Sequence, residues 1–274
     1  MVNVVLQTGE ERRGLLRKAA TGLGGAFFER VKAAKTILVK PTLVHHEFQL
    51  ASTHVDAIRG ILDVIREHSN AQIFIGDAGY MGTKAAFRSF GYEQLTNEYT
   101  NVSLVDLNDD ATCEGMALRR DGLSAPIRRS KLAHDVDMRI SVSPLSAHKD
   151  FGLACAVYNW VFGTWVVPPR IGLLGRVWPR SPFLADEGVQ ASHATIAALY
   201  KQLPCDVAFV DGLYAMQGNG PIKGEAVHMG VAFAGMDAAA VDTAAATRLG
   251  IDPHEIGYLR LCADIMGEEP VVSG

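Results

Sequence analysis

The sequence predicts an α/β protein with a mostly parallel central sheet and helices on both faces, a three-layer arrangement. Two observations carry this prediction. Short β-branched runs alternate with segments of helical periodicity, beginning with 2–7 and 12–33 and continuing with 36–41 and 54–68. The runs are almost continuously apolar, which indicates strands buried on both faces, as in parallel sheets.

The same alternation continues through the rest of the chain. Further strands are predicted at 72–77, 102–107, 137–143 and 206–212, with a strand pair or one bent strand at 225–235. Further helices are predicted at 83–95, 152–164, 192–203, 236–250 and 253–266. Ligands of such sheets lie at the carboxyl ends of the strands, so we expect functional residues in the loops that follow the strands.

Residues 1–274 are expected to form a single domain with one irregular insertion at about 164–190. Long structureless segments in compact domains are usually lids or binding loops. Aromatic and arginine side chains dominate interface hot spots, and this segment is rich in both. A lid and a partner-binding surface running from Trp165 to Arg180 are both consistent with it. The aromatic and arginine residues concerned are Trp165, Arg170, Arg176, Trp178 and Arg180.

Composition limits the partners of the chain. Of its 274 residues 48% are hydrophobic and 20% charged, with 26 basic against 30 acidic side chains and a net charge of −4. This balance favours a large buried core and gives no footprint for nucleic acid or an anionic membrane. The N-terminal apolar run of about five residues is too short for a signal peptide or a membrane span. We expect a cytoplasmic protein that binds a small anion, and base rates favour a homodimer.

The cysteines carry no cluster signature. The four of them lie far apart and form no C-x-x-C motif, so neither a disulfide framework nor a local zinc or iron–sulfur site is indicated. Buried reduced thiols are the expectation. The four are Cys113, Cys155, Cys205 and Cys262.

Histidines and lysine follow the second predicted strand. The candidates for binding an anionic substrate here are Lys40, at the end of that strand, and His45 and His46, in the loop after it. His54 belongs to the same candidate set. Together with Ser52 and Thr53 it forms an expected N-cap cluster before a helix, and capping alone would explain Ser52 or Thr53.

The next strand ends at Asp77, which lies among glycines and is a candidate catalytic residue. The glycine spacing matches no nucleotide-binding motif. A tight turn with a capping aspartate is the structural alternative.

The densest cluster of chemically active side chains is predicted in a loop after strand 137–143. His148 and Lys149 are candidate catalytic residues there, in a mixture suited to proton transfer beside an anion. Asn159 in an apolar helix and His193 at a helix start are candidate substrate-binding residues. A satisfied core hydrogen bond is the structural alternative for Asn159.

A glycine-rich segment follows Asp211, the last candidate catalytic residue. Closely spaced glycines indicate a main-chain loop pressed against a ligand or another loop, and their spacing is not a dinucleotide fingerprint. The candidate substrate-binding residues of this loop are Gly218, Asn219, Gly220 and Lys223. Downstream, Asp237 is expected to cap a helix, and Asp242 lies in an alanine run. We expect Asp77, His148, Asp211 and Asn219 to meet in one cleft.

The order of these motifs resembles the domain-of-unknown-function 362 family. V-K-P-T-L, I-G-D-A-G, S-P-L-S-A-H, Y-N and above all D-G-L-Y-A-M-Q-G-N-G-P followed by D-A-A-A-V-D carry the resemblance. Two lysines common in the family are replaced here by Ser146 and Tyr158. The resemblance implies a cysteine-rich, ferredoxin-like extension in many relatives, and we expect none here because no such cysteine motif occurs within residues 1–274.

Three functions stay open at this point. An enzyme of isomerase or lyase type would use general acid/base chemistry on a small anionic carbonyl compound, with or without a divalent metal. The family resemblance implies a redox protein that works with an external electron carrier. A non-catalytic ligand- or partner-binding protein is the third alternative. No cofactor is identified.

Overall fold

The computed structural model of this chain describes residues 2–79, 81–166, 180–266 and 270–273. Its strands are β1 (Val2–Thr8), β2 (Thr36–Pro41), β3 (Gln72–Asp77), β4 (Val102–Asp106), β5 (Thr112–Leu118), β6 (Ser124–Ser130), β7 (Met138–His148), β8 (Gly152–Leu153), β9 (Val207–Asn219), β10 (Lys223–Gly235) and β11 (Pro270–Ser273). Its helices are α1 (Arg12–Gly22), α2 (Gly25–Ala33), α3 (Val55–His68), α4 (Thr83–Ser89), α5 (Leu95–Glu98), α6 (Lys131–Asp135), α7 (Ala156–Gly163), α8 (Arg180–Gln202), α9 (Ala238–Arg248) and α10 (Gly257–Met266).

The central sheet is mostly parallel, as the sequence predicts. Its strand order is β11-β1-β10-β9-β7-β2-β3-β4, with the short β8 paired to the end of β7. Within this order β10 pairs antiparallel with both of its neighbours, and every other pairing is parallel. The carboxyl ends of β1, β2, β3, β7 and β9 therefore face the same edge.

Helices cover both faces and create two separate cores. Along β9, Val207 and Phe209 point into the core formed with α1, α2 and α3. Ala208 and Val210 point into the other core, which includes α7, α8 and α9. This alternation is the period of two expected of a strand, and the three-layer prediction is confirmed.

Three elements differ from the sequence prediction. β7 continues past residue 143 to His148, because β8 pairs with its last residues and Ser146 pairs with Met216 of β9. The predicted loop at 143–150 is therefore mostly strand. The glycine-rich segment is likewise the tip of a long β9–β10 hairpin. An antiparallel β5–β6 hairpin was missed, since its residues are too polar to read as a buried strand.

Part of the segment predicted to be irregular is helical. Helix α8 begins at Arg180 and is kinked at Gly188, whose backbone angles of φ 82° and ψ 172° are not helical. Trp165 is 3% exposed and stacks on Phe162, so its side chain belongs to the core and not to a surface patch. The remaining tryptophan and arginines of the predicted surface patch lie outside the residues whose side chains are described.

Candidate active site

A cavity of about 280 Å³ opens at the carboxyl edge of the sheet. It lies where the start of α1, the loop before α3 and the middle of the β9–β10 hairpin meet. A cavity at the strand ends is where parallel sheets bind ligands. Its lining combines charged, polar and apolar side chains: Arg12, Gln49, Leu50, Ser52, His54, Pro144, Asp211, Tyr214 and Ala226.

Asp211 and Arg12 form an ion pair in the deepest part of this cavity. Arg12 Nε lies 2.7 Å from Asp211 Oδ2, and the two side chains are 17% and 4% exposed. The backbone N–H of Leu213 donates to Asp211 Oδ1 at 3.1 Å. Burial raises the pKa of the Asp211 carboxyl above its ordinary value, and the charge of Arg12 offsets part of that rise. Asp211 therefore holds a proton more readily than an exposed aspartate.

His54 presents a fixed hydrogen-bond donor to the same cavity. It is the N-cap of α3, and its Nδ1 accepts the N–H of Asp56 at 3.1 Å. Because Nδ1 is an acceptor, the proton of the neutral ring is assigned to Nε2. Burial, followed by the nearby charge of Arg12, lowers the pKa of His54. At neutral pH the ring is therefore an uncharged N–H donor.

The position of His54 is set by its buried neighbour Thr53. The Thr53 hydroxyl donates to the Val142 carbonyl at 2.8 Å and accepts the N–H of Thr42 at 2.9 Å. The Tyr92 hydroxyl donates to the Thr53 carbonyl at 2.8 Å. Within the predicted N-cap cluster it is the His54 ring that caps α3, whereas Thr53 joins β7 to the loop.

Lys40, Asp77 and Asn159 form a buried polar cluster beneath the loop. Lys40 is 0% exposed, and its Nζ donates to Asp77 Oδ1 at 2.6 Å and to Asn159 Oδ1 at 2.5 Å. The N–H of Leu43 donates to the other carboxylate oxygen of Asp77 at 2.9 Å. The carboxylate compensates the buried ammonium charge, as such burial requires. These three predicted site residues therefore contact one another.

Gly163 makes room for this cluster. A Cβ at that position would lie 1.9 Å from Lys40 Cε and 2.2 Å from Asp77 Oδ1. The carbonyl of Gly163 also accepts the N–H of Ala78 at 2.8 Å. Helix α7 therefore packs directly on the ends of β2 and β3 only because this residue has no side chain.

His148 lies in an aromatic cluster at the end of β7. Its Nδ1 accepts the N–H groups of Asp150 and Phe151 at 3.1 and 3.3 Å, and burial lowers its pKa to about 4. The rings of Phe151 and Tyr158 lie 4.8 and 5.4 Å away. His148 is therefore neutral at pH 7, with its remaining proton assigned to Nε2. Lys149 is exposed, and its Nζ lies 3.8 Å from the Asp150 carboxylate.

His193 is held in the same way on the far side of Phe151. Its Nδ1 accepts the N–H of Tyr258 at 3.1 Å, and its ring lies 5.3 Å from that of Phe151. Burial, with the charge of Arg260, lowers its pKa. His148 and His193 thus form one neutral, partly aromatic cluster.

The β9–β10 turn packs against the end of β7. The N–H of Lys149 donates to the Gly220 carbonyl at 3.3 Å, and a Cβ at Gly220 would lie 1.9 Å from the Ala147 carbonyl oxygen. Close backbone approach explains this glycine. Gly218, Asn219 and Lys223 are exposed.

The predicted site residues thus fall into three neighbouring groups. His54 and Asp211 share the cavity, Lys40, Asp77 and Asn159 lie beneath the loop, and His148 meets the glycine-rich turn. Pro144 on β7 lines the main cavity and also a cavity of about 20 Å³ that reaches Tyr158 and Asn159. His45 and His46 stack on each other at 5.0 Å, outside the described lining of the main cavity.

Sequence reasoning missed Arg12 and Tyr214. Arg12 follows the first strand, so the rule that directed attention to the other strand ends would also have found it. Tyr214 lies between Asp211 and the glycine-rich turn, in a segment that was read as a loop, and only the glycines and polar residues of that loop were considered. In the structure it is 47% exposed on the cavity rim.

A larger cavity of about 480 Å³ lies between the β5–β6 hairpin and the start of α8. Its charged lining includes Arg119 and Glu187, which pair with each other at 3.3 Å. The described residues that line it include no histidine. The smaller cavity therefore combines more of the groups that acid/base chemistry needs.

The described part of the chain shows neither a group of metal ligands nor a membrane-spanning helix. Within it, no three histidine, cysteine, aspartate or glutamate side chains are grouped so as to hold a metal ion. Cys155, Cys205 and Cys262 are buried, and Cys113 is half-buried. Over the same residues, no helix has the length and apolar character needed to span a bilayer.

Comparison with known proteins identifies the family. The chain is similar to thylakoid-associated protein sll1697 of Synechocystis sp. (strain ATCC 27184 / PCC 6803 / Kazusa), with 24% identity over 246 residues that cover 88% of this chain and 71% of that protein. Among solved structures it is similar to the lactate racemase apoprotein from Thermoanaerobacterium thermosaccharolyticum, with a TM-score of 0.46 and 14% identity. That match covers 95% of this chain and 56% of the other, so this chain spans little more than half its length. The family model for Domain of unknown function (DUF362) matches residues 37–247, and the chain therefore belongs to that family.

Proposed function

We propose that this protein is an isomerase- or lyase-type enzyme that moves a proton on the carbon next to the carbonyl of a small anionic metabolite. One observation carries the proposal: a carboxyl with a raised pKa, a neutral imidazole donor and an arginine line the same cavity. Pairs of titratable groups with pKa values shifted to suit opposite roles are typical of acid/base sites.

Each of the three side chains has a role that follows from its environment. The Arg12 guanidinium binds the substrate carboxylate. Asp211 accepts the proton, since a raised pKa makes its carboxylate a stronger base. His54 donates its Nε2–H to the carbonyl oxygen, where negative charge develops.

The proposed step balances without a further reactant. The C–H bond next to the carbonyl breaks, its proton moves to Asp211, and its electron pair moves into an enolate whose oxygen is held by His54. Return of the proton to the opposite face of a stereogenic carbon, or to the enolate oxygen, gives an isomer. Loss of a leaving group from the adjacent carbon gives an elimination.

His148 has a different part in this proposal. Its Nδ1 is occupied by two backbone N–H groups and its ring is neutral, so it does not take up a proton at pH 7. We assign His148 and His193 to the wall beside the glycine-rich turn, and Lys40, Asp77 and Asn159 to the support of the loop that carries His54.

Deuterium uptake tests the proposal. α-Keto acids are incubated with the protein in deuterium oxide, and proton NMR follows exchange at the carbon next to the carbonyl above a protein-free blank. We expect exchange with wild type and at least about a hundredfold slower exchange with Asp211→Asn, in line with the contribution of a general base.

Two further variants check the assignment. His54→Asn keeps an oxygen that can cap α3 and removes the imidazole, so it should slow exchange without unfolding the protein. His134→Asn alters an exposed histidine outside the cavity lining and should behave as wild type. Exchange that is unchanged in Asp211→Asn would contradict the proposal.

A further inference from the structure

The cavity changes character from its floor to its rim. Asp211 and Arg12, with side chains 4% and 17% exposed, form a charged part of the lining that we call the floor. Leu50, Pro144 and Ala226 add apolar surface to the walls. Tyr214 lines the same cavity with 47% of its surface exposed, and we call its position the rim.

The Tyr214 ring is held in place from behind. Its centroid lies 5.1 Å from that of His228, with the two rings at 68° in a T-shaped contact. His228 Nε2 in turn lies 3.2 Å from a carboxylate oxygen of Glu10. A ring fixed along one side and open to the cavity is a stacking surface for a flat ligand group.

Resting on the proposed function, we infer that the substrate is an α-keto acid with a flat apolar substituent, such as an aryl group, and that Tyr214 selects it. The carboxylate lies at Arg12 on the floor, the carbonyl faces His54, and the substituent stacks on Tyr214 at the rim. The cavity of about 280 Å³ lies near the lower end of the usual range for ligand pockets, which suits a small ligand.

Calorimetric titration with two probes tests this inference. Phenylpyruvate carries the aryl group, and pyruvate has the same carboxylate and carbonyl without it. We expect wild type to bind phenylpyruvate at least about tenfold more tightly than pyruvate, as stacking and burial of one ring provide. Equal affinity for the two probes would overturn the inference.

Variants locate the preference. Tyr214→Ala should reduce the affinity ratio to within about twofold, whereas Tyr214→Phe should keep it, because stacking needs the ring and not the hydroxyl. Leu123→Ala, at an exposed position in the β5–β6 turn, is the matched surface control and should keep the ratio. A ratio that survives Tyr214→Ala would contradict the role of Tyr214.

Arg12→Gln separates this inference from the proposed function. If wild type binds both probes equally and Arg12→Gln binds neither, the anion site is supported and the inference of an aryl substituent is wrong. If neither probe binds wild type, or if Arg12→Gln binds both normally, the proposed site fails and the inference fails with it.

Discussion

Asp211 shows how one side chain acquires a chemical role from its surroundings. An aspartate in a strand of a central sheet is costly to bury as a charge, and here burial raises its pKa. Arg12 limits that rise, so the carboxyl can still ionise. Sequence reasoning found Asp211 at a strand end but not its partner, because the two residues are almost two hundred positions apart and only the fold brings them together.

The pH dependence of exchange follows from this environment. Because Asp211 must be ionised to act as a base, the exchange rate should rise with pH, with a midpoint above the ordinary aspartate value of 3.8. In the free protein, Arg12→Gln removes a charge that lowers the pKa of Asp211, so the pKa of that carboxyl should move upward. Carboxyl carbon NMR of Asp211 from about pH 4 to about pH 8, without substrate, shows this. A carboxyl pKa that stays fixed in Arg12→Gln would count against the ion pair.

Gly163 gives a stability prediction at the residue scale. Gly163→Ala places a Cβ 1.9 Å from Lys40 Cε, so the protein should lose at least about 1–3 kcal/mol of unfolding free energy through overpacking. Gly25→Ala is the matched control, because nothing lies within 4 Å of its added Cβ. Denaturant titration measures both variants. Equal unfolding free energies for Gly163→Ala and Gly25→Ala would show that the buried cluster accommodates the added methyl group without a loss of stability.

Helix α7 depends on a buried carboxylate for its start. Asp242 on α9 accepts the N–H groups of Ala156 and Val157 at 2.7 and 3.0 Å. Burial nevertheless raises the pKa of Asp242 to about 7, because desolvation of the charge exceeds the gain from these hydrogen bonds. The sequence showed only an aspartate in an alanine run, and no local pattern could identify a cap on another helix.

Asp242 makes stability depend on pH. Its folded-state pKa of about 7 lies above the ordinary 3.8, so between these values the folded state binds the extra proton. The stability that the protonated Asp242 adds is complete below pH 3.8 and is lost as pH rises through about 7. The unfolding free energy decreases over this range by an amount on the order of a few kcal/mol.

The variant Asp242→Asn tests whether Asp242, which joins α9 to the start of α7, makes stability depend on pH. Relative to wild type, the variant should show a smaller decrease in unfolding free energy between about pH 5 and about pH 8 in denaturant titrations. Glu225→Gln removes an exposed charge and serves as the control. The same slope in Asp242→Asn and wild type would exclude Asp242 as the source.

Strands were predictable where the residue pattern of a segment agrees with the pairing that the segment makes in the folded sheet. The apolar runs of β2 and β3 are read correctly, because their burial leaves a nearly continuous apolar signature. The edge strand β4 is also read correctly, although four of its five residues are only half-buried. The ends of β7 and β9 were read as loops, because Pro144 and several glycines favour turns. Pairing of Ser146 with Met216 and the β9–β10 ladder extend these strands in spite of the local preference.

At the scale of the whole molecule, the fold gathers distant residues at one edge. Arg12 follows β1, His54 follows β2 and its loop, and Asp211 lies in β9, and the parallel direction of these strands places all three around one cavity. The strand-end rule predicted this edge from sequence. It could not resolve which residues share a cavity, because that depends on loop packing. A homodimer stays a prediction.

The central claim is that Asp211 moves a proton in this cavity. The most direct test compares wild type with Asp211→Asn and follows deuterium uptake by phenylpyruvate and pyruvate with proton NMR. We predict uptake above the protein-free blank for wild type, and a rate lower by at least about a hundredfold for the variant at an unchanged unfolding midpoint. Equal rates for the two proteins, or no uptake above the blank with wild type, would contradict the claim.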